Sequence, residues 1–283
     1  VNGVSSDVPP VILPPAEPAP VNRGRWWLHL VLIAGYVLVL GALGWQRRET
    51  RMPALTSNVS GLLLVCSVEL LIFGSVFAIA CLLSRPSRND LLLRWDGKWQ
   101  PLVWGFGYSL ALRLAIAILM VVTSAVLVAS GVVTQESVER FAATHQPDVE
   151  AIVDPAAMRR DPLYFALMVT LVSFVVAGLR EELWRSGFLA GLRKLWPQRF
   201  GSRAGQIAGA AVAAVVFGVG HLGMGVLAAV LTALLGFGLG VIMVLHKSIW
   251  PAVIAHGLFD ATSFALIPFA LEELQKIQRS LGQ

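Results

Sequence analysis

Apolar runs long enough to cross a bilayer recur along the whole chain, at about 26–45, 58–83, 102–133, 162–179, 205–221, 223–245 and 249–270. A hydrocarbon core roughly 30 Å thick takes about 20 helical residues to cross, so each run predicts a membrane-spanning helix. The expected fold class is therefore all-α, a polytopic transmembrane bundle of about seven spans. Composition agrees, since 56% of residues are hydrophobic and 14% charged, against about a quarter charged in a soluble domain. Trp26, Trp27, Trp45, Trp99, Trp104 and Trp250 fall near the ends of the runs, where an amphipathic ring suits the lipid interface.

The net charge of +5 does not point to nucleic acid, because the basic residues are scattered through short segments between runs, as Arg47, Arg48 and Arg51 are. No compact basic domain with interleaved aromatics remains to hold one. Cys66 and Cys81 share one apolar run, so a disulfide framework is not expected.

Five regions follow. Residues 1–24 are a Pro-rich tail expected to be disordered, and 25–133 an N-terminal membrane region of three spans. Residues 134–161 form a polar, acid-rich loop (Glu136, Glu139, Asp148, Glu150, Asp154) with room for short surface helices. Residues 162–271 are the membrane region that carries the chemistry, and 272–283 a C-terminal tail. Asp161-Pro162 and Ser248-Ile249-Trp250-Pro251 read as helix starts, a capping side chain followed by proline at the first turn. The first run is too long, and its charges too late, for a cleaved signal peptide. Lysine and arginine counts favour the side holding Arg23, Arg85, Arg94, Arg193, Arg203 and Lys247, which predicts a cytoplasmic N-terminus in a cytoplasmic (inner) membrane.

Ionisable residues inside a span are costly unless they pair or face a polar cavity, which makes them functional candidates. They concentrate late in this chain. Arg180-Glu181-Glu182 and Arg185 interrupt an apolar helix, His221 ends the next span, and His256 and Asp260 stand at i and i+4 on one helix face. Such a set can take a proton from water, hold that water or a metal, and donate to an oxyanion. Each part also has a plainer reading: a helix-end salt-bridge cluster for the glutamates, an interfacial cap for His221, an inter-helix hydrogen bond for His256 and Asp260. Glu69 and Arg113 are read as an ion pair between the second and third spans; His29, His145 and His246 receive no role.

The ordered segments Glu181-Glu182-Leu183-Trp184-Arg185-Ser186, Phe217-Gly218-Val219-Gly220-His221 and His256-Gly257-Leu258-Phe259-Asp260 resemble the CPBP family of CAAX proteases and bacteriocin-processing proteins, also called Abi. The family pattern is EExxxR, FxxxH and HxxxN or HxxxD, and the likeness extends over about 162–270. The resemblance implies an intramembrane endopeptidase of the type II CAAX prenyl kind, long described as a metalloprotease. It implies Glu181 as the base that activates water, His221 as its positioning partner, His256 and Asp260 as oxyanion or metal groups, and Glu182 as an arginine's structural partner. Ser186 stands where the family has its arginine. Arg185 precedes it by one residue, at i+3 from Glu182 and i+4 from Glu181, and either spacing allows a pair.

The cofactor is left open between zinc, with His221, His256 and Glu181 as ligands, and a metal-free Glu-activated water, which is preferred because no HExxH helix is present. The expected partners are membrane lipid and a membrane-associated protein or peptide substrate. The alternative function is a catalytically impaired scaffold or immunity protein on the same fold. One geometric demand stands out: rising about 1.5 Å per residue from Pro162, Glu181 reaches the far end of its span, while His221 lies late in the next. The two meet only if the fourth helix is long or tilted.

Overall fold

The charges that interrupt the fourth apolar run do not interrupt its helix. In the computed structural model, which describes residues 22–49, 57–95, 97–144 and 153–281, one helix continues from Pro162 to Leu195, 34 residues in all. The elements in order are α1 (Arg23–Glu49), α2 (Val59–Ser84), α3 (Gln100–Ala129), α4 (Gln135–Thr144), α5 (Pro155–Arg160) and α6 (Pro162–Leu195). A helical turn at Pro197–Phe200 leads to α7 (Arg203–Gly220), α8 (Val226–His246) and α9 (Trp250–Leu281). Among the described residues there is no strand, and seven helices (α1, α2, α3, α6, α7, α8 and the first part of α9) are long and apolar enough to cross a membrane.

Local signals explain the starts. The Asp161 side chain accepts from Leu163 N and Tyr164 N, with Pro162 in the first turn, which satisfies amides left free at the start of α6. Asp154 does the same for α5, and Ser248 Oγ accepts from Trp250 N at 3.3 Å ahead of α9. The expected tail lies outside the described residues as far as residue 21, as do Asp148 and Glu150 of the acidic loop, His145 and Arg51.

Within α6, Met168–Leu179 is π-helical. Ser173 Oγ donates to Met168 O, five residues back, at 2.8 Å. The helix is α-helical again from Arg180, so the site residues follow directly on a segment of wider winding. Reaching Leu195 resolves the demand posed by the sequence, because Glu181 is then interior to the helix rather than at its end.

Two close crossings bring the site together. The π segment of α6 packs on α9; a Cβ on Gly178 would stand 2.9 Å from Val253 O, and one on Gly257 only 2.3 Å from the Phe174 ring. At the other crossing a Cβ on Gly41 of α1 would stand 2.7 Å from Gly220 Cα at the end of α7. Only residues without side chains let the backbones approach so closely, which is how helices gain contact in lipid. Around these crossings Ile33, Phe73, Trp184, Phe188 and Phe217 form one buried apolar cluster; Leu239, Met243, Ile249 and Ala252 belong to a second.

The expected Glu69–Arg113 pair does not form. Glu69 instead meets Arg180 of α6 at 2.8 Å. Arg113 donates to Phe259 O at 2.7 Å and to Thr262 Oγ1 at 2.5 Å, and its guanidinium lies 4.2 Å from the centre of the Phe259 ring. Consecutive spans need not be the closest neighbours: α3 packs chiefly against α9, while α2 keeps to α1.

Candidate active site

Four helices place charged side chains around the middle of α6. Arg180 is the bridge: Nη1 donates to Glu69 Oε2 at 2.8 Å, Nη2 to Glu181 Oε1 at 2.9 Å, and Nη1 approaches Tyr36 Oη at 3.4 Å. Glu181, thus held by one oxygen, has its Oε2 at 3.7 Å from His256 Nε2. A gap of that length between polar atoms leaves room for a bridging water.

Glu182 points elsewhere. It is fully buried, accepts from His256 Nδ1 at 3.0 Å through Oε1, and presses Oε2 against Arg185 Nη1. Both members of this i, i+3 pair are fully buried. The Arg185 guanidinium also lies 5.0 Å from the centre of the Phe217 ring, a cation–π contact in a dry setting. Among the described residues, Arg185 Nε and Nη2 have no hydrogen-bond acceptor, so this charge is balanced by one carboxylate and one ring. Ser186, where the family pattern has arginine, turns away and donates to Leu91 O.

His221 caps α7, and its Nδ1 lies 2.8 Å from Phe217 O. A carbonyl only accepts, so Nδ1 carries a proton and Nε2 of the neutral ring is an acceptor. A pocket of about 110 Å³ is lined by Glu181 and His221 together with Tyr36, Glu69, Arg180 and Trp184. That space is ample for water. Trp184 is fixed by its own bond from Nε1 to Ile33 O at 2.7 Å. Glu182, His256 and Asp260 are not among the lining residues. His256 Nε2 lies 3.7 Å from Glu181 Oε2 and 3.7 Å from Asp260 Oδ2, so it adjoins the carboxylate that lines the pocket.

The structure therefore brings Glu181 together with His221 through the pocket, and Glu181, Glu182 and Asp260 together around His256. Among the described residues no three His, Cys, Asp or Glu side chains are arranged to hold a metal ion. His221, His256 and Glu181 do not present the converging donors that zinc requires.

Residues 162–262 match the family model for Rce1-like proteins, described as type II CAAX prenyl endopeptidase Rce1-like. Neither the curated proteins nor the solved structures gave a match. The matched stretch contains Glu181, Glu182, Arg185, His221, His256 and Asp260, but not Tyr36 or Glu69, which line the pocket of Glu181 and His221 from α1 and α2.

Sequence reasoning missed Tyr36 and gave Glu69 the wrong partner. The signal for Glu69 was present, an isolated carboxylate in an apolar span, but nothing in one dimension says which arginine it meets. His29, given no role, is fully buried: Nε2 lies 3.0 Å from Gly187 O and Nδ1 2.9 Å from Ser84 Oγ, tying α1 to α2 and α6. His246 bonds Tyr108 at 2.9 Å.

Proposed function

We propose that the protein is an intramembrane endopeptidase that hydrolyses a peptide bond in a membrane-associated substrate, a prenylated CAAX-type protein or a bacteriocin-like precursor, with water activated by Glu181. One observation carries this reading. Glu181 lines a water-sized pocket with His221 and turns its second oxygen toward His256, so side chains from three helices meet at one carboxylate. The Rce1-like match over 162–262 supports the substrate class.

Water in the pocket gives one proton to Glu181, while the hydrogen it keeps is held in a hydrogen bond that His221 Nε2 accepts. The hydroxyl oxygen forms a bond to the scissile carbonyl carbon, and the oxygen of that carbonyl takes up negative charge. His256, held at Nδ1 by Glu182 and oriented by Asp260, donates from Nε2 to this oxyanion. Glu181 then passes its proton to the amide nitrogen, the carbon–nitrogen bond breaks, and carboxylate and amine products leave. Arg180 keeps the base aimed at the pocket, itself anchored by Glu69. Arg185 neutralises Glu182 in the dry interior, so an arginine one residue early serves the pair.

Glu181→Gln keeps the shape of the side chain and removes its basicity. Cleavage of a prenylated CAAX peptide by this variant in detergent falls by at least about 100-fold with the helical fold retained; wild-type rates in that variant would discard the mechanism. Exhaustive chelation leaves cleavage by the parent unchanged. Stoichiometric zinc lost and regained together with activity would replace the metal-free reading.

A further inference from the structure

A second concavity, larger than the first and remote from it, opens where α6 and α8 end and α7 and α9 begin. It measures about 440 Å³ and is lined by Arg94, Arg203, Lys247, Asn89 and Gln206 among others, with no carboxylate among the described lining residues. Arg203 and Lys247, with the two side-chain amides, give the described lining more donors than acceptors. Among the described residues, the carboxylate close to it in sequence, Asp90, is engaged elsewhere, accepting from Ser87 N at 2.9 Å and pairing with Lys194 at 3.0 Å.

The walls are built rather than draped. Ser248 Oγ donates to Arg94 O at 2.5 Å, and Ile249 N donates to Leu92 O at 3.0 Å, so the loop after α2 is stitched to the turn between α8 and α9. Lys247 sits in that turn in the left-handed region, with φ of 51°, and its N–H closes α8 on Met243 O. Arg203 opens α7 behind the Ser202 cap.

Aromatic residues mark the level of the cleft. Trp95 follows Arg94, Trp250 follows Lys247 by three residues, and their rings meet at 5.2 Å. Trp99 is 72% exposed beside them. Tryptophans cluster at the headgroup level of a membrane, so the cleft faces the layer where lipid phosphates lie. Basic pockets between helix ends at this depth suit acidic headgroups. We propose that this cleft is a binding site for the phosphate headgroup of an anionic phospholipid, with Arg203 and Lys247 as the principal charge contacts. Nothing in the match to 162–262 assigns such a site, and the inference is independent of the hydrolytic reading.

The test uses the full chain in detergent, titrated with phosphatidylglycerol, phosphatidylcholine or inorganic phosphate. Bound lipid is counted by native mass spectrometry, and melting is followed in parallel. Phosphatidylglycerol binds and raises the melting temperature; phosphatidylcholine and millimolar phosphate do not. Arg203→Gln with Lys247→Gln weakens phosphatidylglycerol binding about 25-fold, about fivefold per charge. Arg23→Gln with Arg25→Gln, the same charge change at the start of α1, weakens it less than about twofold by the same reasoning. Equal weakening by the two double variants would reduce the effect to general surface charge and overturn the site. An unaltered affinity in the Arg203/Lys247 variant would do so as well, and protection by inorganic phosphate equal to that by lipid would reassign the cleft to a soluble anion.

Discussion

Two helices at the front of the bundle, α2 and α3, and one at the back, α8, are equally apolar and differently used. The most apolar windows of α2 and α3 match that of α8 in mean hydropathy, yet 17% and 0% of them are buried inside the protein against 44% for α8. Hydropathy measures compatibility with lipid and is silent on which neighbour, lipid or protein, a helix will have. Small residues make the difference: Gly236 and Gly240 of α8 lie where any Cβ would crowd Arg185, Phe217 or Ala210, so α8 fits closely against α6 and α7. In α3, Leu114, Ile118 and Val121 point outward and are exposed. The back is thus a protein interior within lipid. The front meets the site through a few side chains, Tyr36 and Glu69 among them.

The sharpest way to break this comparison is to unbalance the buried charges of the back. Arg185→Ala leaves Glu182 without its cation in a site of zero exposure, and chemical unfolding in detergent should show a loss of about 3–5 kcal/mol. Replacing both residues with apolar ones of similar volume, Glu182→Leu with Arg185→Met, recovers most of that stability, though His256 then loses its anchor and cleavage does not return. A single variant as stable as the parent would mean that the pair is not the internal constraint described here.

The next effect belongs to the front. Glu69→Gln retains an oxygen for Arg180 but removes the charge that shares it with Glu181. Melting should stay close to that of the parent, while cleavage falls on the order of ten- to a hundredfold because the proposed base is re-aimed. Unchanged turnover would confine the catalytic unit to residues 162–262 and leave α2 as packing alone.

The smallest effect is expected on the outer face of α3. Leu114 is 53% exposed, and Leu114→Ala should shift stability by no more than about 0.5 kcal/mol. A loss above about 2 kcal/mol, in the range of buried large-to-small changes, would show that this face has a protein partner and is not simply in contact with lipid.

The sequence by itself determined the number of long apolar helices and most of their limits, because the thickness of hydrocarbon fixes how many apolar residues must run together. It also determined the helix starts at Asp161 and Ser248, since capping is local chemistry, and it assembled Glu181, Glu182, His221, His256 and Asp260 as one candidate set from the order of the motifs. What it left undecided was every question of partnership. The fourth run stops at 179 by hydropathy, yet the helix continues to Leu195 because Arg180, Glu181, Glu182 and Arg185 compensate one another, as well as Glu69 and His256, across space. Glu69 pairs with Arg180 rather than Arg113 because α3 packs on α9, an arrangement no hydropathy profile contains. A lone charge in a span states only that a partner exists; which one it meets depends on the glycine crossings that set how closely the helices approach, and those are visible only in three dimensions.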